Sequence, residues 1–370
     1  MSRVAVLGTG IVGSAAAWDL VRRGHEVSVA DSDGDAADAV AAGIGAAAAS
    51  TLDASDPSAV AGFLNGHEVV ISAVPYALGE AVAGAAIAAG CHYLDFGGNP
   101  TVVAAQLQLD GAARTAGVAL VPDCGLAPGL ANVMASGLVA RLGDGPVDEV
   151  RIRVGALPVE PTGALGYQLA FNPAGLVNEY AEPCEILTGG RPATAEPLTG
   201  LEEVAWEGWG PLEAFHTAGG SSTLPSAWTG RVAELDYKTL RYPGHCRSFR
   251  AMLEIGLFDE SPQPGSGAAP RTVLLEALDT HLPRRDDDLV LVRVWARRGE
   301  TVEGLQIEDR HDGRFSALAR TTAFPATALA HLMTTGVAAH PGARAMATAV
   351  EWGLLESELL EVGVVATPGP

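Results

Sequence analysis

Apolar runs alternate with a glycine turn and a helical segment at the N-terminus. Val4–Leu7 and Val27–Ala30 are apolar runs, and residues 11–23 between them have a helical pattern that stops at Gly24. An apolar run that enters a glycine turn and leaves as a helix predicts a strand–turn–helix–strand unit. The second run ends on an acidic residue, Asp31.

The same alternation continues to about residue 121, and helical patterns stop at glycines such as Gly90 and Gly117. Further strands are predicted at 46–52, 69–73, 91–95 and 118–121, and further helices at 35–42, 81–89, 101–116 and in a segment that ends near 65. Regular alternation of strands and helices predicts an α/β fold with a doubly wound parallel sheet, which is the Rossmann arrangement. We assign this domain to residues 1–130.

The pattern changes after Gly145-Pro146. Val150, Ile152 and Val154 alternate with polar or small residues, as in a strand with one solvated face. We predict an α+β domain over 131–320 with a mostly antiparallel sheet, a hairpin from 289–296 to 301–307, and helices at 173–181, 247–257 and 270–282. The segment 321–370 is mainly helical and is expected to pack back on the first domain.

Composition narrows the class of protein. The 370 residues are 48% hydrophobic and carry a formal net charge of −21, which argues against nucleic acid and anionic membranes as partners. The four cysteines lack the spacing of a metal site or a disulfide framework, and we predict no metal. The chain shows neither a leader pattern nor an apolar run long enough to span a membrane, so we expect a cytoplasmic protein.

The glycine turn carries the first candidate chemistry. Gly8, Gly10 and Gly13, with Ile11 and Val12 between them, have the spacing of a dinucleotide-binding turn. Gly8 permits the turn, Gly10 permits close approach of a pyrophosphate, and Gly13 permits close helix–strand packing. Asp31 lies where a carboxylate binds the adenosine ribose and repels a 2′-phosphate, which favours NAD over NADP. The alternative is a glycine turn in another kind of α/β protein.

Other candidates lie where predicted strands end, since ligands bind at the carboxyl ends of parallel strands. Ala73, Val74 and Pro75 follow one such strand and are predicted to line the cofactor site. Tyr76 either closes over the nicotinamide or packs, and Asp53 caps a helix and approaches the adenine. Asp123 begins a loop of small residues, 123–129, that we expect at the site.

Several longer blocks resemble the saccharopine dehydrogenase family. They are the glycine turn, the loop 122–129, residues 210–224 and residues 235–245, which include Thr239-Leu240-Arg241-Tyr242-Pro243-Gly244-His245. The stretch 213–224 is most similar to the lysine 6-dehydrogenases of that family. The resemblance implies NAD-dependent oxidation of an amino-acid side-chain amine, at C6 of L-lysine, which yields ammonia and a semialdehyde that cyclises. It also implies a homo-oligomer, dimer or tetramer.

Hydride removal from an amine requires its neutral form, so the site must lower the amine pKa or supply a base. Lys238, His216 and His245 are the candidates, with Asp123 as a further catalytic residue. Lys238 lies in an apolar-flanked run, where burial would hold it neutral, although a packed stem with a solvated head is the alternative. His216 lies in a glycine-rich bend, and His245 either binds cofactor or caps a helix.

The substrate groups suggest further partners. An α-carboxylate favours a guanidinium, and Arg241 is the candidate. An α-amine favours a carboxylate, for which Glu213 or Asp123 is predicted. Thr239, Tyr242 and Tyr76 complete the predicted substrate-binding residues.

Three functions stay open. The first is lysine oxidation, with ornithine, a diamine or a modified lysine as other substrates. The second is a saccharopine-type or carboxynorspermidine-type imine reductase. The third is a catalytically silent protein that binds NAD and regulates a partner. Departures from the lysine-enzyme pattern at 159–180 and 261–269 bear on the choice of substrate.

Overall fold

A computed structural model describes residues 1–285 and 287–369. The chain forms two compact units, and the first consists of Met1–Gly137 together with Ala319–Val365. The second consists of Leu138–Leu318 and the C-terminal residues from Ala366 onward. The structure therefore divides the chain near 137 and 319, where the sequence suggested 130 and 320.

The N-terminal part of the first unit alternates strands and helices. Its strands are β1 (Arg3–Leu7), β2 (Glu26–Asp31), β3 (Ala48–Thr51), β4 (Val69–Ser72), β5 (His92–Asp95) and β6 (Ala119–Val121). Its helices are α1 (Ile11–Arg22), α2 (Gly34–Ile44), α3 (Pro57–Leu64), α4 (Gly79–Ala89), α5 (Pro100–Gln108), α6 (Asp110–Ala116) and α7 (Leu130–Arg141). The strands pair in parallel in the order β6-β5-β4-β1-β2-β3, which confirms the predicted doubly wound sheet.

The second unit is built on a larger sheet. Its strands are β7 (Val147–Pro158), β8 (Cys184–Thr188), β9 (Arg191–Ala195), β10 (Glu202–Trp206), β11 (Gly210–His216), β12 (Val232–Arg241), β13 (Asp288–Arg298) and β14 (Thr301–Arg310). Its helices are α8 (Pro173–Glu179), α9 (Leu224–Ala227), α10 (His245–Glu254) and α11 (Pro270–His281). The predicted hairpin is β13–β14, in antiparallel register from Leu289↔Arg310 to Arg298↔Thr301.

One pairing in this larger sheet is parallel. β12 pairs with β7 in parallel, from Val232↔Val147 to Thr239↔Val154, and the sequence pattern did not indicate which strands of the mostly antiparallel sheet would pair in this way. The long chain between β7 and β12 provides the crossover that parallel pairing requires, and residue alternation within a strand does not reveal its direction. The sheet remains mostly antiparallel, as predicted.

The C-terminal segment returns to the first unit, as predicted. It contains α12 (Ala317–Thr334), β15 (Gly342–Ala343), α13 (Met346–Ala349) and α14 (Trp352–Leu360), and ends in β16 (Ala366–Pro368). The Thr327 hydroxyl donates to the buried carboxylate of Asp19 on α1 at 2.5 Å, and β15 extends the first sheet beside β6. β16 pairs instead with β14 in the second unit. None of the helices in residues 1–285 and 287–369 is long and apolar enough to cross a membrane.

Candidate active site

Three glycines shape the turn between β1 and α1. A Cβ atom on Gly8, which has φ of +91°, would lie 2.6 Å from the carbonyl oxygen of Ala73. A Cβ atom on Gly13 would lie 1.9 Å from the carbonyl oxygen of Gly8, whereas one on Gly10 would meet nothing within 4 Å. Gly8 and Gly13 are therefore required by packing, and Gly10 faces open space at the N-terminus of α1. This backbone surface fits the pyrophosphate of a dinucleotide.

Asp31 is held against this turn. Its Oδ2 accepts hydrogen bonds from the Thr9 backbone N–H at 2.6 Å and the Thr9 hydroxyl at 2.9 Å, and its Oδ1 accepts one from the Asp33 N–H at 3.1 Å. Desolvation raises the pKa of Asp31, but these hydrogen bonds outweigh it and lower the pKa below its usual range. An ionised, oriented carboxylate is thus available to ribose hydroxyls.

Asp95, at the end of β5, joins three segments of the first unit. Its Oδ1 accepts from the backbone N–H groups of Gly97 at 2.9 Å and Asp123 at 3.0 Å. Its Oδ2 accepts from the Tyr93 hydroxyl at 2.8 Å and the Gln106 amide at 2.6 Å. Asp123 has φ of 62°, an uncommon conformation for a residue other than glycine, and is 4% exposed. The network therefore fixes the backbone of Asp123.

A cavity of about 210 Å³ lies beside this network, at the carboxyl ends of β4 and β5. Its wall includes Val12 of the glycine turn, Ala73 and Val74 after β4, and Tyr76 and Asp95. The position is the one where parallel sheets bind ligands. We interpret it as part of the cofactor site.

In the second unit, Arg241 lies at the end of β12 with only 3% of its surface exposed. Its Nε donates to the Tyr180 hydroxyl at 3.1 Å, its Nη1 donates to the Leu240 carbonyl oxygen at 3.1 Å, and its Cζ lies 5.0 Å from the ring centre of Tyr167. Among the described residues, Nη2 donates no hydrogen bond and no carboxylate forms an ion pair with this guanidinium. A buried charge normally has a counter-charge, so Arg241 has the features of an anion-binding group.

His245 orients this arginine indirectly. It is fully buried; its Nδ1 lies 2.9 Å from the Leu165 carbonyl oxygen and its Nε2 lies 2.9 Å from the Tyr180 hydroxyl. Because a carbonyl oxygen accepts only, Nδ1 carries the proton and Nε2 accepts from Tyr180. The Tyr180 oxygen is then free to accept from Arg241. Burial, with a smaller contribution from Arg241, lowers the pKa of His245 to about 3, so the ring is neutral.

Glu179, the last residue of α8, belongs to the same surroundings. Burial raises its pKa to about 7, and the charge of Arg241 opposes that shift. Its carboxylate makes no hydrogen bond or ion pair with any residue that the structure describes. Its backbone carbonyl oxygen accepts from the Ala218 N–H at 2.9 Å, which ties α8 to the glycine-rich bend after β11.

A second polar cluster contains Lys238 and His216. Lys238 Nζ lies 2.6 Å from Glu202 Oε2 and 2.6 Å from the Gly200 carbonyl oxygen, and Glu202 also pairs with Arg153. His216 stands opposite Lys238 in the β11–β12 register, with its Nε2 3.7 Å from Asp236. Side chains alternate along a strand, so Lys238 and Arg241 lie on opposite faces of the sheet.

The two parts of the chain match two family models. Residues 4–121 match the saccharopine dehydrogenase NADP binding domain, and residues 125–359 match the saccharopine dehydrogenase C-terminal domain. The second match covers more than half of the chain. The chain belongs to the saccharopine dehydrogenase family.

Two members illustrate the relationship. A fungal protein from Pyricularia oryzae, named saccharopine dehydrogenase [NADP(+), L-glutamate-forming], is 24% identical over 277 residues; the match covers 70% of this chain and 59% of the relative, less than two thirds of its length. Apo saccharopine dehydrogenase (L-Glu forming) from Saccharomyces cerevisiae aligns over all of both chains with a TM-score of 0.82 and 17% identity. The structural likeness shows the fold.

In this saccharopine dehydrogenase family member, the first unit holds the predicted cofactor residues Gly8, Gly10, Ile11, Val12, Gly13, Asp31, Ala73, Val74 and Pro75 near the ends of β1, β2 and β4. Asp53 is different, because it is exposed and its carboxylate accepts from the Ser55 N–H at 2.8 Å. Asp56 caps α3 instead. The predicted capping role of Asp53 was therefore wrong.

The second unit brings together some predicted substrate residues and separates others. Thr239 lies on the Arg241 face, with its hydroxyl 2.6 Å from that of Thr217. Glu213 also lies there, but its two oxygens accept from the Gly244 and Cys246 N–H groups at the start of α10. Glu213 therefore caps that helix, which gives it a structural role, and its binding of an α-amine stays a prediction.

The predicted base candidates also make structural contacts. Lys238 is an ion-pair partner of Glu202, contrary to the apolar surroundings that we expected, and His216 shares its face. His245 neither caps α10 nor reaches solvent, since both ring nitrogens are engaged. Tyr242 packs in the apolar cluster around Leu240 and donates to the Pro158 carbonyl oxygen at 2.9 Å. These contacts leave Lys238 and His216 on the other face of the sheet and both ring nitrogens of His245 occupied.

Sequence reasoning missed Asp95, Glu179 and Tyr180. Asp95 had a usable signal, because it is an acid at the end of a predicted strand and precedes Gly97-Gly98. Glu179 and Tyr180 end a predicted helix with no motif, and only tertiary packing brings them to Arg241.

Proposed function

We propose that this chain is an NAD-dependent dehydrogenase that oxidises the C6 amine of L-lysine. The observation that carries the proposal is Arg241, a buried guanidinium with an unengaged Nη2 and no ion-pair partner among the described residues. Guanidinium groups bind carboxylates through paired N–H donors. An amino-acid carboxylate supplies the missing counter-charge, whereas a simple amine does not.

Asp31 supports NAD as the cofactor. Its ionised carboxylate lies where the adenosine ribose binds, and residues 31–35 are Asp-Ser-Asp-Gly-Asp, which offer no cation for a 2′-phosphate. The fungal relative and the family model that matches residues 4–121 both carry NADP in their names, so the proposed NAD preference would distinguish this chain from them. Bound NAD would supply the hydride acceptor of the reaction.

The proposed reaction converts the C6 amine and water, with NAD, into an aldehyde, ammonia and NADH. The ammonium group of lysine must lose a proton before C6 can lose hydride. Asp123 remains the predicted acceptor of that proton, since Lys238 pairs with Glu202 and both ring nitrogens of His245 are engaged. Its left-handed backbone conformation, fixed by Asp95, is typical of functional positions.

A second candidate is oxidation of saccharopine, a secondary amine made of lysine and glutamate moieties. The name of the fungal relative, glutamate-forming saccharopine dehydrogenase, favours it. Its glutamate moiety adds two carboxylates to that of the lysine moiety, so this substrate needs carboxylate-binding groups in addition to Arg241.

The experiment is reduced-nicotinamide formation with L-lysine, ornithine, cadaverine and saccharopine, each with NAD and with NADP. Turnover of lysine with NAD is the expected result. Turnover of saccharopine alone would replace the first candidate with the second. Cofactor binding without turnover of any amine would reject both and favour a regulatory protein.

A further inference from the structure

Two opposite charges remain unpaired in the surroundings of Arg241. The guanidinium of Arg241 and the carboxylate of Glu179 interact electrostatically, yet they form no ion pair within the part of the chain that the structure describes. Opposite charges attract most strongly at direct contact. The Glu179 carbonyl oxygen accepts from the Ala218 N–H, next to Thr217, whose hydroxyl lies 2.6 Å from that of Thr239 on the Arg241 face, so Glu179 is tied to the segment that borders this face of the sheet.

The other groups near Glu179 do not supply a cation. Tyr167, Tyr180 and Tyr237 interact electrostatically with it, and burial raises the pKa of each, so they stay neutral. Glu179 is also the C-terminal residue of α8, where the free carbonyl groups of a helix disfavour a carboxylate. Apart from the attraction of Arg241, no described group favours an ionised acid at this position, whereas an ammonium ligand would.

We propose that Glu179 binds the α-ammonium group of the substrate while Arg241 binds its α-carboxylate. The site then selects a free α-amino acid over a diamine or an ω-amino acid. This inference rests on the proposed function and deepens it. It replaces Glu213, whose oxygens are engaged at α10, as the partner of the α-amine.

The test compares L-lysine with 6-aminohexanoate, which keeps the carboxylate and terminal amine but lacks the α-amine. Binding to the full chain is measured by calorimetry, and kcat/KM is measured separately. The variants are Glu179→Gln and Glu185→Gln; Glu185 on β8 is a control acid whose pKa burial also raises. Thermal unfolding checks that both variants fold.

The wild type should bind lysine at least about tenfold more tightly than 6-aminohexanoate. Glu179→Gln should remove this preference by weakening lysine binding, and Glu185→Gln should retain it. Equal loss for both ligands, no preference in the wild type, or no binding of either ligand would overturn the proposal. A preference that depends on Glu179 in a chain without turnover would support it and reject the dehydrogenase. Lysine turnover with an unchanged preference in Glu179→Gln would reject Glu179 alone.

Discussion

Arg241 and Tyr180 are joined by a hydrogen bond of 3.1 Å between Nε and the phenol oxygen. The same phenol donates to His245, so a single hydroxyl satisfies a buried guanidinium and a buried imidazole. Tyr180→Phe should therefore raise KM for lysine about tenfold and lower the free energy of unfolding by about 1–3 kcal/mol, since two buried groups lose a partner. Steady-state kinetics and urea unfolding measure both.

Tyr242→Phe is the matched control for this prediction. It removes a phenol that donates to the Pro158 carbonyl oxygen, away from Arg241. A loss of about 1 kcal/mol in stability is expected, with KM unchanged. Equal effects of the two variants on KM would show that Tyr180 does not position Arg241.

Substitutions at two glycines of the turn should have different effects, one on stability and the other on NAD binding. Gly13→Ala places a methyl group 1.9 Å from the Gly8 carbonyl oxygen, so the free protein should lose at least about 1–3 kcal/mol of stability. Gly10→Ala meets open space, so the free protein should keep its stability while NAD affinity falls about tenfold or more. Thermal unfolding and NAD titration distinguish them. Unchanged NAD binding by Gly10→Ala would remove this turn from the cofactor site.

Asp31 should determine the choice of cofactor. Asp31→Asn removes the charge that repels a 2′-phosphate, and kcat/KM for NADP relative to NAD should rise at least about tenfold, or about 1.4 kcal/mol. Asp33→Asn is the control: it removes a nearby negative charge but keeps a side chain that can cap α2. Its kcat/KM for NADP relative to NAD should rise less than that of Asp31→Asn. The same shift in both variants would indicate a general charge effect.

Lys238 provides a test of the sheet faces. Lys238→Met should lower stability by about 1–3 kcal/mol, because Glu202 loses one partner and keeps Arg153. Its kcat and KM for lysine should stay within about threefold of the wild type. Arg241→Lys, on the other face, should raise KM, since it removes the planar donor pair. A folded Lys238→Met variant with kcat reduced about a hundredfold would restore Lys238 as the base.

The extent of prediction from sequence follows from the range of the interactions involved. Local patterns identify the strand–turn–helix units and the glycine turn, because each depends on neighbouring residues. The parallel pairing of β7 with β12 and the β16 pairing depend on contacts far apart in sequence. The alternation of apolar and polar residues within one strand does not indicate which other strand it pairs with or in which direction.

The site shows the same limit more sharply. Lys238 and Arg241 lie in one family block, and three residues of separation along a strand place them on opposite faces. The two-residue period of a strand is sufficient to separate their side chains. Glu213 and Glu179 are two acids on the Arg241 side whose roles the sequence does not distinguish. Glu213 caps α10, whereas the carboxylate of Glu179 has no partner among the described residues.

Glu179 also predicts how lysine binding depends on pH. Its pKa of about 7 reflects burial, opposed by Arg241, so it ionises as pH rises through neutrality. The titratable groups that interact electrostatically with Glu179 do not change charge between pH 5 and 8, since their pKa values lie above that range: Arg241, Tyr167, Tyr180 and Tyr237. An ammonium ligand requires the ionised acid, so lysine affinity should fall as pH drops below about 7.

Protein stability should move in the opposite sense. The pKa of Glu179 is higher in the folded chain than its ordinary value of 4.5, so the folded state binds more protons between those values. Its contribution to stability is present at pH 4.5 and is lost as pH rises through 7. The free energy of unfolding of Glu179→Gln minus that of the wild type should therefore be larger at pH 8 than at pH 5. Calorimetric affinity for lysine and urea unfolding, each from pH 5 to 8, test both trends. A wild-type profile that Glu179→Gln reproduces would assign the titration to another group, because glutamine cannot ionise.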